Sequence, residues 1–515
     1  MDHFLRKIFA GFPATEMSAV IFLQKYHYYA FAFIFASLLT GYFITGNEVL
    51  FSGLGILLVL SASFLFSFID SIRLLMLLAV TIPFSIQSDI GATGINIFFP
   101  SEVLTGVFAG TAVIKILQGK IANTLFLFHP VTVLIVVYFL FTLVTGLFST
   151  MPAVSIKALL VKGTYLLVFY FLVFDAMQNN RGKSFLICVT SYAIALIPVI
   201  IYALTQFSEY GNKKDAADFS VLPFYKDHTI YSACVAFLIP VFAFKAFPPG
   251  KRNNSTEFIL SAGILILLFA GLFFSFSRAA WISIIAAFIF LIILILKIRP
   301  VVLLVISVLI SVFLYRHSDN FLAALKKNKN DSNIRNADLE TQTKSIANIS
   351  TDQSNAERLN RWKCALRMFS EKPFTGFGSG AYMFKYFDYQ RKDDMTNISV
   401  TSPYHAVQGH GGSVHSEYLL VLSENGIFTF IIFFTLVVKI ILTGMKNAFY
   451  HPDKIKRREA AALTLSLITY LVHGLFNNYL DTDKAAFLFW SSVCMTVMID
   501  LSRKKVLEQG GHTFI

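Results

Sequence analysis

Charge is what this sequence has least of. Of its 515 residues only 14% are Asp, Glu, Lys or Arg, where a soluble domain carries about 25%. The shortage comes as long apolar runs, and it excludes an ordinary water-soluble fold. Cysteine is scarce as well: Cys188, Cys234, Cys364 and Cys494 are the four. Three stand in apolar runs and only Cys364 in a polar region. No CxxC spacing occurs, so neither a disulfide framework nor a thiolate metal site is expected. The glycine-rich TGFGSG (375–380) is not followed by Lys-Ser/Thr, which excludes a P-loop. The opening MDHFLRKIFAGFPATEM is too short in apolar residues for a cleavable signal peptide and reads as a basic cytoplasmic lead-in.

What is present is apolar. Hydrophobic residues make up 56%, with 55 Phe, and they gather in runs of about twenty, the length that crosses a bilayer as a helix. Backbone groups in lipid have to be satisfied within the segment, so the expected fold class is an all-α polytopic membrane protein. Apolar windows suggest about 12–14 spans. The limits are near 20–44, 48–68, 72–88, 100–118, 129–149, 155–176, 184–207, 229–247, 257–276, 279–297, 300–316, 416–443, 460–480 and 484–502. The net charge of +13 is then no sign of nucleic-acid binding. Lys and Arg collect in cytoplasmic loops, and alternate short loops here are basic, including Lys115–Lys120, Lys245–Arg252 and Lys446–Arg458. That alternation predicts both termini inside.

Four regions follow: an N-terminal bundle of about eleven spans over 1–316, a large outer loop over 317–415, about three spans over 416–502, and a cytoplasmic tail over 503–515. The outer loop faces the periplasm if the host has two membranes. Its first part, rich in Asn, Ser, Asp and Lys, is expected to be mobile. Its second part, NRWKCALRMFSEKPF, places Trp362, Ala365, Leu366 and Phe369 at helical spacing and predicts an amphipathic helix.

Ionisable groups near span ends are functional candidates, and the topology puts several at one level, the outer leaflet. Arg278, Lys162, Arg358 and Arg361 supply cations suited to phosphate oxygens. His415 and Glu417 supply a proton acceptor near neutrality. Glu102, Asp227 and His228 stand at the same level, and Gly376 and Gly378 form a turn after the loop helix. Each has a plain alternative. Arginine at a span end snorkels to headgroups, His anchors interfaces, Asp227 and Ser416 cap helices, and a turn needs glycine anyway. Together, a cationic clamp and a base open to the outside suit transfer of something held on a lipid phosphate or pyrophosphate. A transporter or flippase also fits many spans with charge, but no convincing internal repeat is seen and the polar groups gather at one face.

The order of these pieces resembles the O-antigen ligase and Wzy-type polymerase superfamily, the Wzy_C group. The resemblance lies in Arg358, Trp362, Ala365-Leu366, Pro373 and Gly376-Phe377-Gly378, then His415-Ser416, Leu419 and Glu424-Asn425-Gly426, with Ser277-Arg278 upstream. It implies a GT-C-like bundle and a membrane-embedded glycosyltransferase that needs no metal or other cofactor. The implied donor is a glycan on undecaprenyl pyrophosphate. The acceptor is lipid A–core for a ligase, or a growing glycan for a repeat-unit polymerase of O-antigen, capsule or exopolysaccharide. The implied location is a bacterial inner membrane. Arg278 and Arg358 would grip the pyrophosphate and His415 would be the base. The sequence leaves open ligase against polymerase, the sugar, the oligomeric state, and which of Arg358 and Arg361 dominates.

Overall fold

The computed structural model describes residues 58–90, 95–121, 123–178, 186–210, 214–247, 255–299, 352–402 and 412–510, with scattered positions in 301–317. The expected spans at 20–44, the first part of 48–68 and most of 300–316 lie outside the described residues, as does the Asn-rich first part of the loop.

Among the described residues eight helices are long and apolar enough to cross a membrane. They are α3 (Pro130–Leu147), α4 (Pro152–Gln178), α5 (Ile187–Glu209), α7 (His228–Ala246), α8 (Ser255–Phe273), α9 (Arg278–Ile295), α11 (Glu417–Tyr450) and α13, counted as Asp483–Glu508 and helical to Gly510. The shorter α1 (Ser71–Phe84), α2 (Ser101–Leu117) and α6 (Lys214–Ser220) join them, with α10 (Gln353–Glu371) in the loop and α12 (Lys454–His473) in the bundle. The chain is an all-α polytopic membrane protein.

α7 and α13 form the centre. They are apolar all round, and 72% and 83% of their membrane windows are buried, as fits a helix surrounded by others. α8 and α9 form the edge, with 17% and 28% buried. Their exposed Ile259, Ile266, Ile285 and Phe288 make a face that water would not tolerate but lipid does. α12 packs against α7, α9 and α11 and is buried from Glu459 onward over most of its length.

Two expectations change in detail. The segment 72–88 is a 14-residue helix, about 21 Å long, followed by a hairpin. Strands β1 (Ile86–Ile90) and β2 (Ile95–Phe99) pair antiparallel, with Ile86 opposite Phe99. Period-two residues such as Ile95, Ile97 and Phe99 favour a strand over a further helical turn. The loop helix α10 forms, but its buried side is turned from the expected one. Arg361, Cys364, Ala365 and Met368 face inward, while Leu366 is 47% exposed. The helix buries polar groups because the following loop supplies partners: Asn360 Nδ2 donates to Gln390 Oε1 (2.9 Å), and Arg361 pairs with Glu357.

α11 is broken inside. Gly426 has φ 74° and ψ −178°, a conformation close to Gly-only. The turn after Pro373 fits into this break. Ile427 N donates to Pro373 O (2.8 Å) and Gly378 N to Glu424 O (2.8 Å), so groups freed by the kink are satisfied by the loop. A β-carbon at Gly426 would lie 2.3 Å from Phe374 O, and one at Gly376 2.3 Å from the backbone of Glu424. This splice seats the outer loop on the bundle, at the end where α7, α9 and α11 begin and α12 finishes.

Candidate active site

A cleft of about 420 Å³ opens at that end. Its walls come from the segment from α6 to the first turn of α7, the turn between α8 and α9, the first half of α10 with Ile398 from the loop after it, and His415 with Asn477. Three helix N-termini therefore converge on it, and helix N-termini favour anions. Asp227 caps α7 by accepting from Thr229 N (2.7 Å), and Asp352 caps α10 by accepting from Asn355 N (2.9 Å). The third, α9, has no side-chain cap among the described residues: Ser277 makes no capping bond, and its buried hydroxyl has no partner there.

Three arginines line the cleft, and their pairing differs. Arg278, at the start of α9, grips the fully buried Asp352 through two bonds, NH1 to Oδ2 (3.0 Å) and NH2 to Oδ1 (3.2 Å). Arg361 donates from Nε to Glu357 Oε1 (2.7 Å) and from NH1 to Ser413 O (3.0 Å), and its guanidinium lies over the Tyr386 ring. Gly412, at φ +75°, lets the chain lie flat on that guanidinium, since a β-carbon there would come 1.9 Å from NH1. Among the described residues Arg358 reaches only neutral groups, Ser354 Oγ (3.0 Å) and Asn355 Oδ1 (3.4 Å). Its Nε is buried without a partner. Burial and the nearby Arg278 charge together lower its pKa. Of the three arginines, Arg358 is thus the one without a carboxylate partner among the described residues. Positions 358, 361 and 362 share one helix face, which is why the spacing places both arginines at the cleft and Trp362 beside them, within reach of the His415 carbonyl.

His415 is held by its backbone and its ring. Its φ of 56° is unusual for a side-chain-bearing residue and costs on the order of 1 kcal/mol. The N–H donates to Asn478 Oδ1 (3.1 Å), and the carbonyl accepts from Trp362 Nε1 (3.2 Å). Ring Nδ1 lies 3.4 Å from Asn477 Oδ1, and Asn477 Nδ2 lies 3.0 Å from His473 Nε2. An amide oxygen at Nδ1 accepts its proton, which leaves Nε2 as the free acceptor. Burial, with Arg361 and then Arg358 close by, pushes the imidazole down to about 3, so it is neutral at physiological pH.

Opposite stand Asp227 and His228. His228 Nδ1 lies 2.7 Å from Asp218 Oδ1 and 3.3 Å from Asp227 Oδ1. Burial works to raise Asp227, but His228 and the Thr229 N–H outweigh it and hold the carboxyl below its ordinary value.

The structure thus brings Arg278, Arg358, Arg361, Asp227, His228 and His415 onto one cleft. The other candidates lie off its walls. Glu417 accepts from Tyr470 Oη (2.7 Å), Tyr479 N (2.6 Å) and Leu480 N (2.8 Å), so it fastens the start of α11 to the turn that carries Asn477. Glu102 accepts from Phe98 N (3.0 Å) at the hairpin. Lys162, on α4, has Tyr138, Glu424 and Asp481 as its electrostatic neighbours. Gly376 packs on Glu424 and Gly378 on Ser149.

Four functional neighbours escape sequence reading: Asp352, Glu357, Asn477 and Asp218. Asp352 carries a local signal, an Asp before an amphipathic helix, but its bond to Arg278 spans 74 positions. Nothing in FNNY marks Asn477 as a partner for a histidine 62 residues away.

A comparison with curated proteins finds no match. The family model Wzy_C, described as O-Antigen ligase, matches residues 263–434. That stretch runs from α8 through the loop into the second part of α11 and holds Arg278, Arg358, Arg361 and His415. Members of the family are glycosyltransferase-like ligases and polymerases of envelope glycans. Over this segment, which holds the cleft's arginines and histidine within a multi-pass helical bundle, the chain matches the O-antigen ligase (Wzy_C) family.

Proposed function

We propose that the cleft transfers a glycan from undecaprenyl pyrophosphate to a sugar hydroxyl, at the periplasmic face of a bacterial inner membrane. The observation that carries this reading is the pairing of Arg358, a buried cation without a carboxylate partner among the described residues, with a neutral, oriented His415 in one cleft at the mouth of apolar helices.

The pyrophosphate of the donor lies against Arg358 and the uncapped start of α9, with Arg278 adjoining. The acceptor hydroxyl meets His415. Nε2 takes the hydroxyl proton as the oxygen bonds to the anomeric carbon from the face opposite the phosphate. The bond from that carbon to the phosphate oxygen breaks, and undecaprenyl pyrophosphate leaves with the electron pair. Attack from the opposite face inverts the anomeric centre. The leaving group is already activated, so the protein has to position it, stabilise its charge and accept one proton. Arg361 orders the 412–415 segment more than it meets substrate, because Glu357 and Ser413 already occupy it.

The acceptor is lipid A–core in a ligase or the growing glycan in a repeat-unit polymerase, and the same cleft chemistry serves both. The test uses His415→Ala and Arg358→Gln chains that still reach the membrane, with envelope glycan resolved on gels. Loss of capped or lengthened glycan in both is expected. Normal glycan in both variants sinks the assignment.

A further inference from the structure

The same four helices carry a second cavity at their other end, and the transfer reaction has no use for it. α7, α9 and α11 run from the cleft to this end, and α12 runs back from it. α9 has 18 residues, about 27 Å of helix, close to the ~30 Å of a hydrocarbon core. The two cavities therefore open at opposite membrane surfaces.

This cavity measures about 680 Å³. Phe244, Leu291 and Phe449 wall it, and Lys454, Arg457 and Arg458 rim it. Arg457 spends Nε and NH2 on His451 O (3.0 and 2.7 Å). Lys454 and Arg458 have no hydrogen bond or ion pair among the described residues. The nearby acids do not answer them. Asp453 caps α12 by accepting from Ile455 N (2.7 Å), and Glu459 has Lys245 as an electrostatic neighbour. Neither lines the cavity.

An apolar slot under unanswered cations at a membrane surface matches one kind of molecule, an amphiphile with an anionic head. We propose that the slot holds an anionic phospholipid, its phosphate between Lys454 and Arg458 and an acyl chain between α9 and α11. A zwitterionic lipid brings its own ammonium to the same rim and gains less. Two basic residues at a membrane surface favour the anionic head by roughly tenfold or more. A lipid seated there braces the helices whose far ends carry His228, Arg278 and Glu417.

The experiment uses the full chain purified in detergent and titrated with phosphatidylglycerol or phosphatidylcholine of the same acyl chains, with bound lipid counted by native mass spectrometry. The unaltered protein is expected to hold one phosphatidylglycerol at roughly tenfold lower concentration than phosphatidylcholine. Lys454→Ala/Arg458→Ala is expected to bring the two lipids within about twofold, while Lys505→Ala, on the exposed last turns of α13, leaves the preference intact. Leu291→Trp, which fills the slot, is expected to lower phosphatidylglycerol retention with both cations in place. Should the double variant not fold, Arg458→Gln carries the test, with a loss of roughly threefold. Equal binding of the two lipids to the unaltered protein, or a preference that survives removal of the cations, overturns the proposal.

Discussion

Arg278, on the first turn of α9, holds the carboxylate of Asp352 with both arms of its guanidinium, and Asp352 is the residue that caps α10. One carboxylate thus ties the membrane bundle to the helix that presents Arg358. Both partners are nearly buried, with side chains 10% and 0% exposed, so neither is left alone at little cost.

Substitutions at Asp352 separate its two roles. Asparagine caps a helix about as well as aspartate, whereas alanine loses about 1 kcal/mol of capping. Asp352→Asn is expected to remove the ion pair alone, a loss of about 3 kcal/mol. Asp352→Ala loses the cap as well. Melting temperatures in detergent should fall in the order unaltered, Asn, Ala. Pairing Asp352→Asn with Arg278→Gln should cost less than the sum of the two single changes, because the two residues share one interaction. Equal melting of Asn and unaltered protein would show that the bridge contributes nothing.

The two loop arginines should fail differently. Arg358→Gln is expected to leave folding nearly intact and to reduce turnover by about 10²- to 10³-fold, the usual effect of removing a group that stabilises developing charge. Arg361→Gln is expected to lower the melting temperature, since it strands Glu357 and releases the 412–415 segment. A thermal melt beside a transfer assay distinguishes them. The reverse pattern would hand the phosphate role to Arg361.

How far the sequence speaks follows from the range of each interaction. The spans are legible because a bilayer imposes length and polarity locally, and α3, α5, α7 and α8 appear near where apolar runs put them. The break at Gly426 is not, because a glycine in an apolar run has no sign of the turn that will be spliced onto it. Charges at span ends are legible as unusual, which singles out Arg278 and His415, and the loop helix adds Arg358. Which charges share a cleft is not. Lys162 and Glu102 meet the same sequence criterion, yet each is surrounded by a different set of neighbours. The buried face of α10 is not legible either: apolar spacing points to Leu366, whereas Glu357 and Asn360 find partners within the loop and turn the helix toward them.

The pH dependence follows from His415. Its imidazole titrates near 3 in the folded protein against 6.5 for the free side chain. A neutral histidine is the active form, so kcat/KM, which reports the free enzyme, should show no His415 limb between pH 5 and 8. A bound pyrophosphate offsets Arg358 and Arg361 and favours the imidazolium, so the acidic limb of kcat should stand at higher pH than that of kcat/KM. Arg358→Gln should move the limb of kcat/KM upward by removing a like charge. Stability carries the same sign. A depressed histidine contributes stability that is full above 6.5 and lost as pH falls toward 3. Acid melts of His415→Gln should therefore be flatter over that window. An identical slope would mean that His415 does not titrate as assigned.

The splice between loop and helix makes the last prediction, and it needs no substrate. Gly426 sits at φ 74° with Phe374 O 2.3 Å from any added β-carbon, and Gly376 meets the backbone of Glu424 equally closely. Backbone cannot swing aside as a side chain can. Gly426→Ala and Gly376→Ala should each lower the melting temperature and unseat the loop, with transfer lost because Arg358 and Arg361 move away from His415. Gly263→Ala on α8, where nothing lies within 4 Å, is the control and should leave both readouts unchanged. The loop's release is read by protease cutting between 352 and 402, faster in both splice variants than in the unaltered protein. Cutting at the control's rate would mean that the loop is seated by α10 alone. The bond from Arg278 to Asp352 would then have to hold it, and Asp352→Asn should reproduce the missing phenotype.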